Sequence, residues 1–107
     1  MRFSDEFGFY ELNPFPGCNQ IVVSNHAFIY PEYRGKGYGQ VQHEARLEKA
    51  RELGYDLILC TVNSKNLAEI HILRKYGWVE HHDSRFVNSE TSNTIQVWAK
   101  RLIHHHV

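Results

Sequence analysis

The sequence predicts a single domain of mixed α/β class. Three observations lead there. The length, 107 residues, is that of one compact domain. Segments of strand and helix character follow in the order strand, strand, helix, strand, helix, strand, strand. The segment 55–62 is apolar through its middle (Leu57, Ile58, Leu59, Cys60), as a strand buried on both faces is.

Each element has its own signal. Phe3, Phe7, Phe9 and Leu12 lie in an aromatic, extended stretch. Asn13-Pro14-Phe15-Pro16-Gly17 then reads as a turn, because two prolines fix φ and remove donors. Ile21, Val22, Val23, Phe28, Ile29 and Tyr30 mark a strand over 20–30, interrupted near Ser24-Asn25 and ended by Pro31. A glycine-rich loop follows. The spacing predicts a helix over 40–53 with Val41, Ala45, Leu47, Ala50 and Leu53 as a thin apolar face, stopped by Gly54. A second helix over 67–76 carries Leu67, Ile70, Leu73 and Tyr76 near one face, with Arg74 and Lys75 suiting the negative end of its dipole. Gly77 ends it. Two strands are expected after that, near 78–87 and over 94–102.

Composition narrows the function classes. Twelve basic and twelve acidic residues give zero formal net charge. That disfavours a nucleic-acid binder, which needs a basic stripe, and electrostatic attachment to membranes. It also leaves little repulsion between copies, so a homodimer is plausible on charge grounds. No apolar run reaches bilayer length, and the first residues lack the apolar stretch of a secretory signal. Cys18 and Cys60 make neither a disulfide framework nor a metal knuckle. The expected location is cytoplasmic.

The chemistry concentrates in Arg34-Gly35-Lys36-Gly37-Tyr38-Gly39. Alternating glycines let backbone N–H groups converge without interference from Cβ. The helix start adds unpaired N–H groups and a positive dipole end. Together these make an anion site suited to a pyrophosphate, to which Arg34 and Lys36 add charge. The plain alternative is a tight turn that needs positive φ. Two nucleotide-binding motifs fail on spacing. The P-loop needs Gly-x4-Gly-Lys-Ser/Thr, and the dinucleotide fingerprint needs Gly-x-Gly-x-x-Gly.

The run Tyr30-Pro31-Glu32-Tyr33-Arg34-Gly35-Lys36-Gly37-Tyr38-Gly39 resembles the Arg/Gln-x-x-Gly-x-Gly/Ala motif of GNAT superfamily N-acetyltransferases. A second match follows: Asn63-Ser64-Lys65-Asn66, a helix, then Arg74-Lys75-Tyr76-Gly77-Trp78. The resemblance covers residues 20–78. It implies an acyl-CoA N-acyltransferase-like fold whose central strands, here ending near Tyr30 and Val62, splay apart. The pantetheine arm of acetyl-CoA would lie in the gap. Ala27, Phe28 and Ile29 would pair with it through their backbone, and Gly35, Lys36, Gly37, Tyr38, Gly39 and Gln40 would wrap the pyrophosphate beside Arg34. Asn66 would bond the arm; the local reading of Asn66 is a helix cap with Glu69 three residues on. Both can hold. The implied division is a reduced strand region at 1–24, an acetyl-CoA-binding core at 25–80 and strands at 81–107. The implied form is short, without the helices usual near the start of the family.

The resemblance also implies direct attack of an amine on the thioester. A base must first remove a proton, since a lysine-like amine has a pKa near 10.4. His26, on the first splayed strand, is the candidate, its structural alternative being a plain strand histidine. Thr61 stands where some relatives carry a carboxylate. The family's usual proton donor, a tyrosine seven residues after the asparagine, is Leu73 here. Tyr76 lies one turn on and is the substitute candidate, its alternative role being core packing. The first helix places Gln42, His43 and Arg46 where relatives place apolar residues, which points to a reduced, open domain whose missing wall a second copy could supply. Cys60 reads as a buried thiol. His81-His82 and His104-His105-His106 are poor joint ligands, because neighbours on a strand face opposite ways, and no metal is expected. The acceptor is an unidentified amine. The competing function is an acyl-CoA-binding module without useful turnover.

Overall fold

The computed structural model describes residues 1–102. The histidine triplet at 104–106 lies outside the described residues. Seven strands and two α-helices follow in sequence: β1 (Arg2–Ser4), β2 (Gly8–Pro14), β3 (Ile21–Ile29), α1 (Tyr38–Glu52), β4 (Leu57–Asn63), α2 (Leu67–Lys75), β5 (Val79–Glu80), β6 (Phe86–Val87) and β7 (Thr94–Arg101). One sheet holds them in the order β1-β2-β3-β4-β7-β5, with β6 also on β7. Among the described residues, only β3 and β4 pair in parallel. That pair needs a crossover, and α1 supplies it.

The predicted mixed α/β class holds, with several local corrections. The aromatic N-terminal stretch is a hairpin of two strands. Asp5 Oδ1 accepts from the backbone N–H of Phe7 and Gly8 at 2.8 and 3.0 Å and closes the turn between them. The expected strand over 78–87 is two short strands around a 3₁₀ turn at His82–Ser84. Arg85 Nη2 donates to Glu80 Oε1 at 2.6 Å across that turn and pins its ends. The first helix starts at Tyr38, because Gly37 takes the N-cap at φ 85°, a left-handed conformation glycine adopts without strain.

The helix faces need the largest correction. Val41, Ala45 and Leu53 are exposed, and α1 buries Gln42, His43, Arg46, Leu47 and Ala50 instead. Three polar side chains can be buried because each finds partners. Gln42 Nε2 donates to the carbonyls of Phe9 and Phe28, Arg46 donates to Ser24 Oγ on β3, and His43 accepts from Trp78 Nε1. On α2, Ile70 and Leu73 are buried but Leu67 is exposed.

The core lies between the helices and one face of the sheet. Val22, Ile58 and Leu73 are fully buried there with His43, beside Tyr10, Leu12, Leu47, Trp78 and Trp98. The registers Val22↔Ile58 and Cys60↔Trp98 put Ser24 and Trp98 on this same face. Arg46 of α1 reaches Ser24, and Arg74 of α2 lies over Trp98, so both helices cover that face. The opposite face carries Val23, Leu57, Leu59, Val97 and Ala99, half-buried by their neighbours, and exposed Val79.

Candidate functional site

The site begins where β3 and β4 part. Their register runs Ile21↔Leu57, Val22↔Ile58, Val23↔Leu59 and then stops. From Ser24 on, β3 pairs only with β2, leaving its β4-facing edge open. A bulge accompanies the divergence. Between the pairs Glu11↔Asn25 and Phe9↔Phe28, β3 spends one residue more than β2. His26 sits in that bulge at φ 54°, a left-handed conformation that costs a non-glycine residue about 1 kcal/mol or more. A cleft of about 210 Å³ opens between the strands, lined by Ser24, Asn25, His26, Ala27, Thr61, Val62, Asn66 and Glu69.

At the far end of β3 the chain turns through Pro31–Tyr33 into the glycine loop. Gly35 and Gly37 have φ of 76° and 85°, so the turn reading of these glycines is met. The first intrahelical bond is from Val41 N–H to the Gly37 carbonyl at 3.4 Å. Helix geometry leaves the N–H groups of Tyr38, Gly39 and Gln40 without an intrahelical acceptor, facing the loop. An anion beside the turn would meet these N–H groups. Arg34 folds back: its Nε donates to the Ile29 carbonyl at 2.9 Å and its guanidinium stacks on Phe28. Lys36 is exposed.

The other predicted residues fall as follows. Ala27, Phe28 and Ile29 lie on β3 beyond the divergence, and Ala27 and His26 line the cleft. His26 Nε2 is 3.9 Å from Glu11 Oε2 on the adjacent strand. Asn66 caps α2, its Oδ1 accepting from Glu69 N–H at 3.2 Å, and it also lines the cleft. Tyr76 stands apart. Its ring packs at the core edge against His43, and its hydroxyl donates to Glu44 of α1, a bond that raises its pKa. Leu73 is fully buried, and Thr61 is exposed at the cleft. Cys60 is buried as read, and burial pushes its thiol up to about 12. His81 and His82 are exposed.

Sequence reasoning passed over the charged cluster beneath the cleft. Arg46 is 5% exposed. Its Nη1 donates to Ser24 Oγ at 3.1 Å, and its Nη2 lies 3.4 Å from Glu69 Oε1 and 2.9 Å from His43 Nδ1. Arg46 Nε is buried with no partner among the described residues. Trp78 Nε1 donates to His43 Nε2 at 3.0 Å. Burial first, then the cations of Arg46 and Lys100, lowers the His43 pKa to about 3, so the imidazole is neutral. The available signal was three polar residues at positions 42, 43 and 46 of a helix with little apolar face.

Comparison with known proteins gives the following. The model of the acetyltransferase (GNAT) family matches residues 7–78. The L-amino acid N-acyltransferase MnaT of Escherichia coli (strain K12) is 26% identical over 58 residues, 54% of this chain and 34% of that protein. Among solved structures, yncA from Salmonella typhimurium, determined with its cofactor acetyl-CoA, is similar at TM-score 0.77. Its identity is 17%, over 94% of this chain and 61% of that one. The ribosomal-protein-S18-alanine N-acetyltransferase of Escherichia coli is similar at TM-score 0.76, with 13% identity over 94% of this chain and 64% of its own. The matched region is thus about a third of MnaT and about three fifths of these two structures.

Proposed function

As the chain belongs to the acetyltransferase (GNAT) family, we propose that it transfers an acetyl group from acetyl-CoA to a primary amine. One observation carries the reading: a helix start preceded by two positive-φ glycines lies at one end of a strand whose open edge leads into the cleft. The loop fits a pyrophosphate, through the N–H groups of residues 35–40 and the charge of Arg34 and Lys36. The open edge fits an extended arm with amide groups, which would pair with it as a strand does. Ala27, Phe28, Ile29 and Asn66 are the contacts proposed there. The structure of yncA with acetyl-CoA supports the choice of donor.

In this reading His26 takes the proton from the attacking amine. It lies in the bulge of β3 and lines the cleft. A backbone N–H of the open β3 edge would stabilise the oxyanion. No tyrosine stands at position 73 to protonate the departing thiolate, and Tyr76, the substitute candidate, donates to Glu44 and is not among the residues that line the cleft. Such a donor contributes about 10²–10⁴-fold, so slow turnover is expected. The buried Leu73 also favours a second reading, a module that binds acyl-CoA without useful turnover. A cytoplasmic location and a homodimer formed over the sheet face that neither described helix covers complete the proposal, resting on two unbridged cysteines and on zero net charge.

Thermal unfolding with acetyl-CoA tests the shared claim. Ligand at a hundred times Kd adds about 2.7 kcal/mol, which raises Tm by about 10 °C in a domain of this size. No shift at millimolar acetyl-CoA sinks both readings. Gly37→Glu, which sets a carboxylate on the anion site, should abolish the shift. Thiol release across a panel of amines then separates enzyme from binding module, and His26→Ala should lower the rate while leaving the shift intact.

A further inference from the structure

His26 meets a carboxylate that regular strand geometry would keep from it. Asn25 and Glu11 lie opposite each other in the β2–β3 register and so share a sheet face, where Asn13 Nδ2 also donates to Asn25 Oδ1 at 2.9 Å. Strict alternation puts the residue after Asn25 on the other face. The bulge, with its left-handed φ of 54° at His26, breaks that alternation, and His26 Nε2 stands 3.9 Å from Glu11 Oε2. Glu11 is itself held from the next strand. Arg2 Nε and Nη2 both donate to its other oxygen, Oε1, at 3.2 and 3.0 Å. The bond from Arg2 outweighs desolvation and holds the Glu11 carboxyl below its ordinary value. Three adjacent strands thus carry Arg2, Glu11 and His26 in line. Glu69, the other acidic residue near the cleft, lies on Arg46 instead.

Stability alone explains this line poorly. The His26 side chain is 66% exposed, and an ion pair with so exposed a member contributes little to folding. The left-handed φ meanwhile costs a histidine what a glycine would avoid. Strain of this kind collects at working sites. We propose that Glu11 is the positioning residue for His26 in the transfer reaction, and that Arg2 fixes Glu11 in turn. This rests on the reading of His26 as the base. An ionised carboxylate can only accept, so the nitrogen that faces it, Nε2, carries the hydrogen, and Nδ1 is left to take the proton from the amine. The amine's electron pair is then free to attack the thioester carbonyl. The imidazole becomes a cation in that step, and Glu11 stabilises it without taking a proton itself. Contacts of this sort commonly shorten once substrate is bound.

Steady-state thiol release tests it, using saturating acetyl-CoA and the amine that gives the fastest release. Glu11→Ala should lower kcat about tenfold and leave KM for the amine unchanged. Glu11→Gln can keep the bond from Arg2 through its carbonyl oxygen, but it turns an NH₂ donor toward His26 and favours the wrong tautomer. It should be at least as slow. Glu11→Asp keeps the charge and should recover part of the rate. Added to His26→Ala, Glu11→Ala should cost nothing further, because the two act as one unit. Each Glu11 variant should keep the acetyl-CoA thermal shift. Unchanged kcat in both Glu11→Ala and Glu11→Gln overturns the proposal. So does a full further loss in the His26→Ala background, a change confined to KM, or loss of the thermal shift along with the rate. Full rate in His26→Ala, or no thiol release by the unsubstituted protein, is a different result and removes the reading of His26 as base.

Discussion

At the scale of single residues, His43 shows how a polar side chain is tolerated in a core. It is fully buried, accepts from Trp78, and stays neutral because burial and nearby cations lower its pKa to about 3. An unfolded imidazole takes up its proton near pH 6.5. Between these values the unfolded chain binds a proton that the folded one refuses. Stability is therefore full above about pH 6.5 and is lost as pH falls toward 3. The loss from this one residue is about 2 kcal/mol between pH 7 and pH 5. Urea unfolding at the two pH values should show it, and His43→Leu should remove most of the difference even where it lowers stability at pH 7. A second residue-scale outcome concerns Cys60. With its thiol buried and pushed up to about 12, it should resist a thiol reagent at pH 8, while half-exposed Cys18 reacts. Two labels before denaturation would contradict this; one before and two after are expected.

At the scale of elements, the cleft wall depends on how closely β2 approaches β3. A Cβ on Gly8 would lie 2.0 Å from the Phe28 carbonyl oxygen, a backbone atom that cannot swing aside. Gly8→Ala should cost about 2 kcal/mol or more and lower Tm by about 10 °C, read by calorimetry. The acetyl-CoA shift should shrink with it, because the strand displaced is the one that carries the bulge. The strands, both helices and the glycine loop were legible because local rules govern them: β-branched runs, a capping Asn, glycines at fixed spacing. The burial pattern of α1 was not. Gln42, His43 and Arg46 are buried only because Phe9, Phe28, Ser24, Glu69 and Trp78 arrive from other parts of the chain to bond them. Residue type alone points such side chains to solvent. The N-terminal hairpin escaped because its turn rests on one Asp5 side chain, and the break at 82–84 because its polar residues sit inside an otherwise strand-like run. For the site, the loop and Asn66 were visible as motif, whereas Glu69 looked like half of a helix cap and Ser24 like a gap in a strand.

For the whole molecule, the helices cover one sheet face, and Val23, Leu57, Leu59, Val79, Val97 and Ala99 remain on the other. With zero formal net charge, copies do not repel one another. Light scattering at tens of micromolar should return twice the chain mass, and Leu59→Lys should return the monomer. A monomeric unsubstituted protein would refute the dimer without touching the cleft. The order of the sheet has a consequence for how the protein is made. β7 lies between β4 and β5, pairing Leu57 with Arg101 and Val79 with Ala99. While the chain is being synthesised, β3, α1 and β4 emerge well before the strand that completes them. Until Arg101 has left the ribosome, one edge of β4 stays bare and β5 has no neighbour to bond. The nascent chain therefore passes through a state with a sticky strand edge, the kind that chaperones bind and that aggregates grow from. A chain ending at Asn93 should stay in that state, collecting in the insoluble fraction however well its glycine loop is formed.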